Sequence, residues 1–179
     1  MSFRTVADDI VRERFRDAVG AWMCGSVATG QVSPTSDLDL VVVVRDATPS
    51  RETFRWTDML VEQFVHTEQS LPDWYARDAS EYRCTLANMV ATGVPLIESS
   101  AAADLQSTAQ AHVQQGPPPC DQAEIDAQRY HLSSAIDDIL GADDPDELVY
   151  MAASAVEQVI ELELAICGSW TGRGKWLHR

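Results

Sequence analysis

Asp37 and Asp39 stand two residues apart at the mouth of an apolar run, residues 40–44. Side chains spaced in this way on a strand point to the same face. Gly25 and Ser26 precede them, separated by the ten residues 27–36. Two carboxylates on one face, opposite a small Gly-Ser turn, can hold a divalent cation and a triphosphate together. That is the outline of a phosphoryl-transfer site. Magnesium is the hard cation suited to carboxylate and phosphate oxygen, and two such ions about 4 Å apart can bracket an attacking and a leaving oxygen. Gly25 allows backbone to approach phosphate without a Cβ. Ser26 offers a hydroxyl and a backbone N–H at the start of a short helix, where anions are favoured. Ser36, directly before Asp37, either caps a turn or touches phosphate.

The surrounding pattern supplies elements to carry these groups. Residues 5–19 place Val6, Ile10, Val11, Phe15, Ala18 and Val19 near helical spacing, which predicts an amphipathic helix ended by Gly20. Residues 21–24 form a short strand feeding the Gly-Ser turn, and residues 26–30 a short helix closed by Gly30. Residues 39–44 make a central strand, apolar on both faces and so covered on both sides. An amphipathic segment follows at about 50–57.

Residues 59–66, M-L-V-E-Q-F-V-H, read as the next strand, with Glu62 among Leu60, Val61, Phe64 and Val65. A lone glutamate in an apolar strand is costly unless it is paired or metal-bound. The alternative is an edge strand with Glu62 facing water. His66 closes this strand, either near the site or as a hydrogen-bonded strand-end histidine.

Helix is expected over 73–92 with a break near Ala79-Ser80, then an extended segment over 94–98 and a helix over 99–115. Gly116-Pro117-Pro118-Pro119 stops any helix and marks a domain boundary. Beyond it lies a helix at about 121–140, with Ile125, Leu132, Ile136, Ile139 and Leu140 expected inward. A second, from about 145 to 167, opens with Asp146 and Glu147 at its positive end. Its apolar set is wider than one stripe, which predicts burial on several sides or a homodimer interface. Glu157 and Glu161 stand one turn apart on it, as a solvated face or as acceptor-side bases. Lys175, the single lysine against twelve arginines, is a candidate phosphate contact.

Composition narrows the function. The net charge is −15 and no Lys/Arg cluster interrupts it, which argues against a long nucleic acid as substrate and suits a cationic acceptor. The four cysteines lack C-x-x-C pairing and zinc spacing, so buried free thiols in a reducing compartment are expected. No apolar run is long enough to span a bilayer, and the charged, helical N-terminus is no signal sequence; a cytoplasmic protein is expected. An EF-hand fails on its glycine and terminal glutamate spacing, and a P-loop fails for want of G-K-[ST].

The segment Met23-Cys24-Gly25-Ser26, followed by Ser36-Asp37-Leu38-Asp39-Leu40, resembles the nucleotidyltransferase superfamily that includes DNA polymerase beta, kanamycin nucleotidyltransferase and the small MNT antitoxins. Ala28-Thr29-Gly30 matches the G-S-x-A-x-G-x(5)-S-D-x-D form of its small bacterial members. The resemblance implies an α+β fold, a mixed β-sheet flanked by helices, over residues 1–115. An α-helical, bundle-type domain over 121–179 follows, truncated at its C-terminus. Its closing Trp170-Thr171-Gly172-Arg173-Gly174-Lys175-Trp176-Leu177-His178-Arg179 is similar to a segment of helical domains attached to such enzymes. The resemblance also implies Glu62 as the third catalytic and metal-binding carboxylate beside Asp37 and Asp39, with Gly25, Ser26, Ser36 and Lys175 on the nucleotide. The donor would be a nucleoside triphosphate, ATP, with Mg2+. The acceptor would be a hydroxyl of a small molecule, aminoglycoside-like, or, in a toxin–antitoxin or regulatory role, a partner protein. Arg173 and His178 also fit the R-x4-H spacing of HEPN toxins, but the flanking glycines fit the G-K-W segment better.

Overall fold

The computed structural model describes residues 2–172, 174 and 177. They fall into two compact units, residues 1–78 with 85–115, and residues 79–84 with 116–179.

The first unit is built on a mixed five-stranded sheet. Its strands are β1 (Gly20–Cys24), β2 (Leu38–Val44), β3 (Ser50–Trp56), β4 (Met59–Thr67) and β5 (Val94–Pro95), in the order β3-β4-β2-β1-β5. β2 and β4 run parallel, and the other pairs are antiparallel. β2 is central, and Leu40, Val41, Val42 and Val43 are fully buried, as its unbroken apolar run requires.

Helix α1 (Phe3–Arg14) covers one face of the sheet. Its Val6, Ala7 and Ile10 pack with Met23, Leu38, Leu40 and Val61. Ser2 caps it by accepting from the Thr5 N–H. The helix ends five residues before the expected stop at Val19. Phe15 leaves helical geometry with its N–H on the Val11 carbonyl, a turn from Ala18 to Phe15 follows, and Gly20 opens β1 instead of closing the helix. Helices α2 (Gly25–Ala28), α3 (Ser70–Ala79), α4 (Thr85–Thr92) and α5 (Ser100–Gln115) complete the core. Gln106 of α5 donates to the carbonyls of Val90 and Gly93, satisfying the end of α4.

In the second unit α6 (Gln122–Gly141) and α7 (Pro145–Ile166) pack as a helical hairpin. Asp121 and Glu124 form a capping box at the start of α6. Glu124 also accepts from the Tyr82 hydroxyl at 2.8 Å, which ties residues 79–84 to this unit. That bond lowers the Glu124 carboxyl below its usual range and raises the Tyr82 phenol.

The seam of the hairpin is narrower than expected. Ile125, Leu132 and Ile139 are partly covered, but Ile136 is 46% exposed and Leu140 79%, so these two do not point inward. Six covered positions of α7 (Leu148, Met151, Ala155, Gln158, Leu162, Ala165) recur at alternating steps of three and four, the stripe that one helix neighbour can cover, and Ile160 and Leu164 on another side are also partly covered. Val149, Val156, Val159 and Ile166 lie outside that stripe and are exposed. The wide apolar set of α7 is therefore only partly covered within the described residues.

Candidate active site

Strand alternation separates core from chemistry. Leu38 pairs with Val61 on the face under α1, so Asp39 and Glu62, one residue further along each strand, turn to the other face. They are themselves Cα partners in the parallel β2–β4 pair, and Asp39 is also the partner of Cys24 in β1. Asp37 stands immediately before β2. One carboxylate oxygen from each of Asp37, Asp39 and Glu62 lies within 4.8 Å of the others, and all three residues are half-buried. Oxygen donors in this arrangement fit a hard divalent cation such as Mg2+. β4 is no edge strand, because β3 flanks it, and the Glu62 side chain is only 18% exposed.

The Gly-Ser turn meets these acids directly. Gly25 has φ +66°, and a Cβ built there would overlap Oδ2 of Asp39. Glycine is thus demanded twice, by backbone conformation and by the closeness of the carboxylate. Ser26 is buried, and its hydroxyl donates to the Ser36 Oγ at 3.2 Å. The Ser36 Oγ also accepts from the Ser33 N–H at 2.8 Å, so this serine acts as a turn cap. The Ser26–Ser36 bond links the Gly25-Ser26 turn to the residue just ahead of Asp37.

Two neighbours escaped the sequence reading. Cys24 is fully buried beside Asp39, with its thiol directed to the Trp22 carbonyl. Burial, with the Asp39 charge adding to it, pushes that thiol far up, so it stays protonated. Arg51 of β3 is ion-paired with Glu62. The amphipathic segment at 50–57 is the strand β3, and its hairpin with β4 brings alternate residues of β3 over the Glu62 face.

His66 shares the Glu62 face four residues on, but it is only 4% exposed and stacks edge-on against Trp74 of α3, with ring centroids 5.5 Å apart. Its Nδ1 lies 3.5 Å from the Ser70 hydroxyl. It is a packed strand-end histidine, apart from the carboxylate cluster. In the second unit, Glu161 lines an open cleft with Gln128, His131, Ser134, Asp138 and Gln158, while Glu157 is simply exposed. Lys175, Arg173 and His178 lie outside the described residues.

Residues 7–81 match the nucleotidyltransferase domain family. That span holds Gly25, Ser26, Asp37, Asp39 and Glu62. The chain carries a nucleotidyltransferase-family domain, and the acidic cluster within it is suited to metal-assisted catalysis. Among solved structures, a nucleotidyltransferase-like protein from Exiguobacterium sibiricum 255-15 is similar, at 14% identity and a TM-score of 0.47. The similarity covers 96% of this chain and 60% of that one, so this chain spans less than two thirds of that protein's length. No curated protein matches the chain. No helix among the described residues is long and apolar enough to cross a membrane.

Proposed function

We propose that this protein transfers a nucleoside monophosphate from a nucleoside triphosphate, ATP, to a hydroxyl group of a small-molecule acceptor. The observation that carries this reading is the convergence of Asp37, Asp39 and Glu62 on one face of adjacent strands, with Gly25 packed against Asp39. Asp37, Asp39 and Glu62 would hold magnesium, which when bound neutralises phosphate charge and polarises the phosphoryl group.

The chain's own groups do the rest. The acceptor oxygen bonds to the α-phosphorus, the bond from that phosphorus to the bridging oxygen breaks, and pyrophosphate leaves. Glu62, the acid furthest from the turn in sequence, takes the hydroxyl proton. Gly25 keeps the turn free of a side chain that would displace Asp39. Ser26 and Ser36 hold the turn in place and offer hydroxyls to the triphosphate. Residues 1–115 would form the catalytic domain and residues 121–179 a helical domain that adds acceptor specificity. The net charge of −15 supports a cationic acceptor, aminoglycoside-like in having amines beside hydroxyls.

The test is incubation with Mg2+, each labelled nucleoside triphosphate and a panel of aminoglycosides and other amino-polyols. The expected result is pyrophosphate and a nucleotidylated product, both lost in Asp37→Asn. Nucleotide binding without product from any small molecule would overturn the acceptor class and direct the search to a protein acceptor.

A further inference from the structure

Arg51 contacts the third carboxylate in a way that sequence spacing alone does not show. In the antiparallel β3–β4 pair Arg51 stands opposite Phe64, and Glu62 stands opposite Thr53, so Arg51 reaches Glu62 along the diagonal. Its guanidinium carbon lies 5.3 Å from the Phe64 ring centroid, which holds the stem over the sheet. Both Nε and Nη2 of Arg51 engage one oxygen of Glu62, Oε1. The two partners are unequal. The Glu62 side chain is 18% exposed and the Arg51 side chain 66%, so the carboxylate is fixed in the sheet while the cation can swing into solvent.

We propose that Arg51 is a positioning residue with two alternating partners: the Glu62 carboxylate when no cation is bound, and the phosphates of the nucleotide when one is. The inference rests on the reading of Asp37, Asp39 and Glu62 as a metal site. A divalent cation held by Glu62 neutralises the charge that retains Arg51 and repels the guanidinium. The released side chain remains anchored on the same sheet face as the carboxylates. A planar guanidinium fork matches phosphate oxygens in a bidentate manner, which a lysine ammonium cannot reproduce. Exchange of partners also keeps Glu62 from sitting as an uncompensated acid in the empty site.

Arg55 provides an internal control. It stands opposite Leu60, the mirror diagonal from Glu62, and donates to the Asp58 carbonyl rather than to a carboxylate. Arg55→Ala removes the same charge from the same strand face without removing a Glu62 partner.

The experiment measures Mn2+ affinity, with no nucleotide present, for the unaltered protein, Arg51→Ala, Arg51→Lys and Arg55→Ala. Affinity for a non-hydrolysable ATP analogue with Mg2+ is then measured on the same set. Arg51→Ala should bind Mn2+ about fivefold more tightly, the scale of a partly exposed ion pair removed from competition. It should bind the Mg2+–analogue complex about tenfold more weakly, the scale of a lost charged hydrogen-bond contact. Arg51→Lys should restore the Mn2+ value more than the nucleotide value, and Arg55→Ala should move neither. Unchanged or weaker Mn2+ binding in Arg51→Ala, an equal effect in Arg55→Ala, or unchanged analogue binding would each overturn the proposal. Asp39→Asn separates the two layers. If it binds Mn2+ normally, the metal site itself is wrong. If it loses Mn2+ while Arg51→Ala changes nothing, only the role of Arg51 fails.

Discussion

Asp39 and Glu62 lie side by side on neighbouring parallel strands, Cα partners in the β2–β4 pair although the whole of β3 separates them in sequence. Parallel pairing forces a crossover, and here β3 forms that crossover and then flanks β4. The third acid is thereby delivered to the D-x-D pair from the far end of the excursion. Because Leu38 and Val61 are locked beneath α1, a register slip of one residue would turn Asp39 or Glu62 into the core. The hydrophobic layer thus fixes the position of the acids.

Removal of Asp39 should separate metal binding from folding. Asp39 is half-buried at the sheet end and lies on the face away from the core under α1, so Asp39→Asn should still fold and unfold cooperatively. Mn2+ titration should show affinity reduced at least tenfold, the loss of one charged ligand of three. Retained affinity would remove the carboxylate cluster from consideration as a metal centre.

Gly25→Ala should damage both stability and site. The positive φ and the overlap with Asp39 Oδ2 act together, and a cost of about 1–3 kcal/mol in urea unfolding is expected. Mn2+ affinity should fall as well, because Asp39 must move to admit the methyl group. A variant with unchanged stability would mean that the turn relaxes freely.

His66 should make stability depend on pH. Burial holds its imidazole below the ordinary value of 6.5, with the Asp78 charge opposing the shift. The unfolded chain therefore takes up this proton first as pH falls. The stabilising contribution is complete above 6.5 and is lost as pH falls from there through the depressed folded-state value. Melting temperatures measured from about pH 7.5 down to about pH 5.5 should fall less steeply in His66→Phe than in the unaltered protein, since phenylalanine takes no proton. Parallel slopes for the two proteins would contradict this assignment.

The seam of the α6–α7 hairpin should be sharply one-sided. Ala155 is 9% exposed against its neighbour Val156 at 58%. Ala155→Glu should destabilise the protein by about 2 kcal/mol or more, through a charge forced into the seam. Val156→Glu should stay within about 0.5 kcal/mol. Denaturant unfolding of the two variants distinguishes a hairpin packed on one stripe from a helix packed on both.

Local sequence determined much of this protein. Gly25-Ser26, Asp37 and Asp39 were legible because a turn and one strand start carry them, and period-two alternation places both aspartates on one side. The unbroken valine run of β2 announced a central strand. Helix ends were less legible. Apolar spacing continues through Phe15, Ala18 and Val19, but those side chains serve the turn and the sheet margin, so α1 stops at Arg14. Ile136 and Leu140 satisfied helical periodicity yet stand exposed, because periodicity names a face and only a neighbouring helix decides whether that face is covered. The pairing of Asp39 with Glu62, the reach of Arg51 to Glu62 and the closeness of Gly25 to Asp39 were decided by tertiary structure. Each depends on strand order and register, and these are set by which apolar residues meet under α1 rather than by any spacing along the chain.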